Sequence, residues 1–252
     1  MDVHVHLLGD AALDAEFLAF AREWQMKFAT SCLGPYGDMI PVPTYDECVK
    51  SNDLVLAQIE ACPDLAYGFC YVNPQHGQQA INEIRRCVRD GGMRGIKLWI
   101  ACKCSDSQVF PIAEEAISLG VPILQHSYIR LEEMFPGESV PADVAVLAER
   151  YPELRIIMAH MGLNWRVGVS AIRDYQNVFV DTCGFDPEIG SVEYAADALG
   201  EDRVLYGSDA PGRDILCQMG KVMAADISES CRRKILLGNA EKLLGIEGSD
   251  NR

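Results

Sequence analysis

The sequence predicts a single minimal (β/α)8 (TIM) barrel spanning residues 1–252. Three observations carry this reading. Short apolar runs alternate with longer amphipathic stretches along the whole chain, the pattern of a parallel sheet joined by crossover helices. Eight such units fit into about 250 residues, the size of the smallest barrels of this kind. Polar residues able to bind metal or carry protons (His6, Lys97, His126, His160 and Asp209) fall at the C-terminal ends of five of the eight strand candidates. In such barrels the C-terminal strand ends are the rim where catalytic groups sit.

The elements follow in order. The first strand, 2–6, reads Asp2-Val3-His4-Val5-His6. Simple alternation places Asp2, His4 and His6 on one face and Val3 and Val5 on the other. Helix 12–28 follows, then a short, partly apolar second strand, 29–33. Thr44, with Glu47 three residues on, forms a capping box that starts helix 44–61, and Pro63 ends it. Strand 65–72 leads to helix 75–90, which Gly91-Gly92 stop ahead of strand 94–99. Helix 108–119 ends at Gly120, before strand 121–126. Helix 141–150 and the turn at Pro152 precede strand 154–159. Helix 165–175, strand 177–181, helix 188–199, strand 203–207 and helix 212–225 complete the barrel, and helical pieces 228–236 and 239–245 close the chain.

Composition limits the function. Apolar residues make up 49 %, enough for a large core, and no window approaches the roughly 18 unbroken apolar residues of a membrane span. No basic, apolar and small-residue leader opens the sequence, so a cytoplasmic protein is expected. A formal charge of −15 argues against nucleic acid, whose phosphates need a basic footprint. The expected partner is a small-molecule substrate, and an anionic one needs local cations; a homo-oligomer is left open. The ten cysteines are scattered and read as buried thiols in a reducing compartment. Cys102-Lys103-Cys104 lacks the two-residue spacer of zinc and redox motifs.

Two imidazoles one pleat apart, His4 and His6, can grip one ion. His126 and Asp209 complete a shell with an open position for water, the arrangement of a catalytic metal site. A metal there lowers the pKa of bound water toward roughly 7. Asp209 and His160 are then the proton carriers. Lys97 lies inside the apolar strand Gly95-Ile96-Lys97-Leu98-Trp99, where a lysine must be paired or modified. It either pairs with Asp209 or a substrate anion, or is carbamylated and bridges two metals. Trp99, Arg130, Trp165 and Arg166 follow strands four, five and six and are the candidate substrate contacts, with Asn73 and Arg213 behind them; Arg130 or Arg166 can clamp a carboxylate. His76 has no assigned role.

Taken with Ile157-Met158-Ala159-His160-Met161-Gly162, Leu205-Tyr206-Gly207-Ser208-Asp209-Ala210-Pro211 and Leu237-Gly238-Asn239-Ala240, the Asp-x-His-x-His opening resembles the amidohydrolase superfamily. The likeness runs the length of the chain. It points to the amidohydrolase-related branch, with aminocarboxymuconate-semialdehyde decarboxylase, resorcylate-type decarboxylases and related hydrolases and hydratases. The resemblance implies His4, His6, His126 and Asp209 as metal ligands, and Asp209 also as proton carrier. It implies His160 as the catalytic residue of one-metal members or a ligand of a second metal. Lys97 stands where two-metal members carry a carbamylated lysine, which the decarboxylases usually lack.

That departure favours hydrolysis. The expectation is a metal-dependent hydrolase of amides, cyclic amides or lactones, using one or two divalent ions, zinc by ligand type. The alternative is a one-metal decarboxylase or hydratase acting on a small carboxylic acid, and a third reading is a non-catalytic metal-binding protein with a closed site.

Overall fold

The computed structural model describes residues 1–130, 133–184 and 187–246. Eight parallel strands pair in sequence order, β1 (Asp2–Leu7), β2 (Phe28–Cys32), β3 (Ala66–Tyr71), β4 (Gly95–Leu98), β5 (Ile123–Gln125), β6 (Ile156–Met158), β7 (Val178–Asp181) and β8 (Val204–Leu205). Helices α1 (Ala11–Glu23), α2 (Tyr45–Ala61), α3 (Gln78–Ile84), α4 (Phe110–Leu119), α5 (Pro141–Arg150), α6 (Trp165–Ile172), α7 (Ser191–Leu199) and α8 (Ile215–Ala224) alternate with them. Helices α9 (Glu229–Arg233) and α10 (Asn239–Leu244) follow. The segment after β8 closes the ring on β1: Val3 N–H donates to the Tyr206 carbonyl at 3.0 Å and Asp209 N–H to the His4 carbonyl at 2.7 Å. The (β/α)8 expectation holds.

Two apolar layers hold the strands. Outward residues such as Cys70, Ile96, Leu98, Ile156, Val180 and Val204 pack with the helices in one large cluster. Inward, Val3, Ala29, Phe69, Leu124, Ile157 and Leu205 fill the lower barrel, and Ala240, Leu243 and Leu244 of α10 plug it from below. Gly95 makes room for the ring of Phe69: a Cβ there would lie 2.0 Å from it. With apolar groups filling the lower layer, polar groups collect at the upper rim.

Several expectations need correction. Val3 and Val5 do not share a face. Asp2 pairs with Phe28 and Val5 with Thr30, so β1 carries one residue more than β2 over this stretch, a one-residue bulge. Val3 therefore joins the interior cluster, while Val5 packs on the helix side with Ala21 and Phe28. The buried Asp2 Oδ1 accepts from the backbone N–H groups of His4 and Ser208, both at 3.0 Å, and fastens the bulge to the barrel seam. Strand eight is shorter than 203–207, ending at Leu205, and Asp209 beyond it takes a left-handed backbone (φ 62). The 75–90 helix divides into a 3-10 turn (Pro74–His76), α3 and a π-helical turn (Arg85–Asp90). The first helix ends at Glu23, ahead of the left-handed Gln25. Among the described residues, no helix is long and apolar enough to cross a membrane.

Candidate active site

Three predicted ligands converge. The Nε2 atoms of His4 and His6 face each other at 3.2 Å. Asp209 Oδ1 lies 3.6 Å from the first and 3.4 Å from the second. The other ring nitrogens explain why. His4 Nδ1 meets Asp181 Oδ2 at 2.8 Å, and His6 Nδ1 meets Ser31 Oγ at 3.0 Å. A carboxylate can only accept, so His4 carries its proton on Nδ1 and turns a lone pair inward; this tautomer is assigned from the partners. Two nitrogens each ~2.1 Å from one tetrahedral ion would lie about 3.4 Å apart, so the donor set fits a single divalent cation. Asp181 and Ser31 aim the two rings at this point.

The electrostatics agree. Burial pushes His6 down to about 4, against the hydrogen bond and charge of Asp209. Burial also holds His160 well below the usual histidine range. For Asp209 burial works upward, but the charges of His160 and His4 and the His6 hydrogen bond outweigh it and hold the carboxyl below its usual range. Asp181 is likewise held down, chiefly by His4, despite its burial. A His6 and a His160 held neutral and carboxylates held ionised are protonation states that favour a cation.

Lys97 is fully buried, with Nζ 2.9 Å from His4 Nε2. Burial lowers its pKa to about 8, opposed by the charges of Asp209 and Asp181. The structure places His126 beside the trio rather than in it. His126 Nε2 meets Glu138 Oε1 at 2.9 Å, and its Nδ1 faces His160 Nε2 at 3.2 Å. Arg130 Nε donates to the second oxygen of Glu138 at 2.6 Å, and its guanidinium lies over the rings of Tyr128 and Phe135. His160 and Asp209 both adopt left-handed backbone (φ 62 each), which costs about 1–3 kcal/mol per residue and concentrates at functional sites.

These groups line a cavity of about 190 Å3 together with Leu33, Met39, Trp99, Gly184, Gly212 and Arg213. Trp99 and Arg130 are thus at the site. Arg166 is not: it lines a separate cleft with Ile129, Leu163, Asn164 and Glu188, its guanidinium 4.1 Å from the Trp165 ring centre. Asn73 caps the turn before α3 and holds the Pro43 carbonyl. Sequence reasoning missed Asp181, Cys183, Ser31 and Glu138. Asp181 ends a strand like the ligands that were found, so the same rule reaches it. Glu138 lies in the loop between β5 and α5 and has no comparable sequence signal.

A family model described as Amidohydrolase matches residues 1–246. A 2-amino-3-carboxymuconate-6-semialdehyde decarboxylase from Dictyostelium discoideum is 25% identical over 249 residues, covering 82% of this chain and 68% of that protein. A gamma-resorcylate decarboxylase from Polaromonas is 25% identical over 247 residues, covering 78% and 76%. Among solved structures, a 2,6-dihydroxybenzoate decarboxylase complexed with 2,6-dihydroxybenzoate superposes with a TM-score of 0.77 at 19% identity, over 98% of this chain and 99% of that one. A dihydroxybenzoic acid decarboxylase from Polaromonas, holding manganese and 2-nitroresorcinol, gives 0.77 at 20% identity over 100% and 99%. These relatives overturn the expectation of a hydrolase. Lys97 does not weigh against a decarboxylase, because a buried lysine amine beside His4 can also meet a carboxylate.

Proposed function

The chain belongs to the amidohydrolase family, and within it we propose a divalent-metal-dependent decarboxylase, a lyase acting on a small aromatic or unsaturated carboxylic acid. The reading treats residues 1–252 as one catalytic domain. The observation that carries it is the pairing of the convergent His4–His6–Asp209 trio with a small cavity whose lining includes Lys97, Arg130 and Arg213. In a chain of charge −15, Lys97 and Arg213 at one cavity, beside an Arg130 paired to Glu138, favour an anionic substrate. The names of the similar decarboxylases supply the reaction class.

Bound between His4, His6 and Asp209, a divalent ion would act as a Lewis acid toward the substrate's oxygens. Manganese and zinc both suit this donor set. Lys97, with Nζ 2.9 Å from His4 Nε2, orients the departing carboxylate. Decarboxylation exchanges the carbon–carboxylate bond for a carbon–hydrogen bond, so one proton must reach that carbon while CO2 leaves. His160 carries it. Its Nε2–H rests against His126 Nδ1, and His126 is oriented by Glu138. Those hydrogen bonds run from His160 to His126 to Glu138 and hold the ring in place, so the proton that His160 delivers is taken up again from solvent in the cavity. Asp209, ionised and beside His6, accepts a proton from an acidic hydroxyl on the substrate.

The test is a screen of manganese- and zinc-loaded protein against dihydroxybenzoates and unsaturated dicarboxylates, reading CO2 release, beside a screen of amides and lactones. Carbon dioxide release with no hydrolysis supports the reading. Hydrolysis of an amide or lactone without CO2 overturns it.

A further inference from the structure

Behind the trio lies a second set of donors. Cys183 Sγ is 3.2 Å from His4 Nδ1, 3.3 Å from His160 Nδ1 and 3.1 Å from Asp181 Oδ1. Asp181 Oδ2 is 2.8 Å from His4 Nδ1. All four residues are buried, and their ligand atoms lie within 4.8 Å of one another. The proposed decarboxylation assigns Cys183 no part.

Hydrogen bonding prepares this group for a cation. Glu138 takes the Nε2 proton of His126, so His126 Nδ1 accepts from His160 Nε2. The remaining nitrogen of His160, Nδ1, therefore presents a lone pair to Cys183. Gly184 leaves the space: a Cβ there would lie 2.0 Å from His160 Nδ1. A tetrahedral ion with Zn–N of ~2.0 Å and Zn–S of ~2.3 Å sets its donors roughly 3.3–3.6 Å apart; the Cys183 contacts lie within a few tenths of an ångström of that, and the remaining pairs, all within 4.8 Å, close onto one ion with shifts of up to about 1 Å.

We propose that His4, His160, Asp181 and Cys183 form a second, closed metal site for a thiophilic divalent cation, and that it excludes the catalytic metal because both sites need His4. This rests on the trio binding a metal. The His4 ring has one proton and one lone pair when neutral. With the proton on Nδ1 it serves the trio and accepts from Lys97; with the proton on Nε2 it serves the thiolate site and hydrogen-bonds to His6 Nε2, and Lys97 Nζ, 2.9 Å from the same nitrogen, gives up its bond there. Filling the second site moves the His4 proton between its nitrogens and releases the Cys183 thiol proton to solvent, one net proton per ion. The trio has no sulfur and keeps open positions, so it suits manganese; the thiolate site suits cadmium or zinc. The chain thus carries a built-in inhibitory site for soft metals.

The experiment titrates chelator-stripped, full-length protein with Cd2+, alone and after loading with Mn2+. The expected result is a thiolate-to-cadmium absorption band and release of the Mn2+ paramagnetic signal to that of the free ion. Cys183→Ser should abolish the band and raise the Cd2+ needed to displace Mn2+ at least tenfold, while Cys217→Ser, at an exposed thiol, should change neither. Asp181→Asn, which keeps the thiol, should weaken the band's midpoint about tenfold and serves as the second variant should Cys183→Ser fail to fold. A band that persists in Cys183→Ser, or Cd2+ and Mn2+ bound together without mutual effect, overturns the proposal. If the trio reading itself is wrong, Mn2+ fails to bind while the Cys183-dependent band remains, which separates the two failures.

Discussion

His4 Nδ1 and the Asp181 carboxylate stand 2.8 Å apart in a fully buried pair whose members are 177 residues apart in sequence. The contact spans the barrel seam, from β1 across β8 to β7, and decides which nitrogen of His4 faces the cavity. It ties ligand geometry to barrel closure. Asp181→Asn keeps the shape, but with its carbonyl oxygen held by the His160 backbone N–H, which donates to Asp181 Oδ1 at 2.7 Å, it turns an NH2 donor toward His4 Nδ1 in place of the acceptor that fixes the tautomer. Mn2+ affinity should fall about 10- to 100-fold, as for other residues that orient a metal-bound histidine. Calorimetric titration of the stripped variant measures it, and unchanged affinity would show that Asp181 does not set the ring.

Asp209→Asn tests the acid–base assignment. The amide oxygen can still face the ion, so Mn2+ should remain bound while kcat falls about a hundred- to ten-thousand-fold. Undiminished turnover would remove Asp209 from proton transfer.

Gly184→Ala should be far costlier at the active site than in the fold. Gly184 sits at φ +83, where alanine costs roughly 1–2 kcal/mol, and the new methyl would run into His160 Nδ1. Displacing His160 by about 1 Å should lower kcat by about 100-fold with Mn2+ affinity largely kept. A variant with the expected loss of stability and full kcat would contradict the role given to His160.

Glu138 gives a pH signature. Burial works to raise its pKa, but the hydrogen bonds of His126 and Arg130 hold it down to about 2, against an ordinary 4.5. A carboxyl depressed on folding stabilises the fold above its unfolded pKa and loses that contribution as pH falls through its folded one. Denaturant unfolding of the wild type and Glu138→Gln should show a wild-type advantage at pH 5 that shrinks between pH 4.5 and about 2. A constant difference across that window would mean that the carboxylate charge contributes nothing there.

Much of the site was written in the strands. His126, His160 and Asp209 follow apolar runs, His4 and His6 alternate with valines in the first strand and Lys97 sits within the fourth, and a parallel strand delivers its last side chains to one rim. The site's other requirements come from geometry that alternation does not encode. The extra residue in β1 moves Val3 inward, and nothing in Asp2-Val3-His4-Val5-His6 announces it. Arg166 follows strand six as Arg130 follows strand five, yet α6 starts at Trp165 and turns Arg166 against that ring, away from the metal cavity. Glu138 reaches His126 from the loop before α5, and such contacts depend on loop shape rather than periodicity. Lys97 was placed correctly in space, but its presence pointed the chemistry toward hydrolysis, which the decarboxylase relatives contradict.

The central claim is that His4, His6 and Asp209 together hold one divalent ion. Calorimetric titration of chelator-stripped protein with Mn2+ addresses it directly. The predicted result is one ion per chain, bound at least about 100-fold more weakly by His6→Ala and Asp209→Ala, a loss beyond that of an orienting residue. Equal affinity in the wild type and both variants would contradict it.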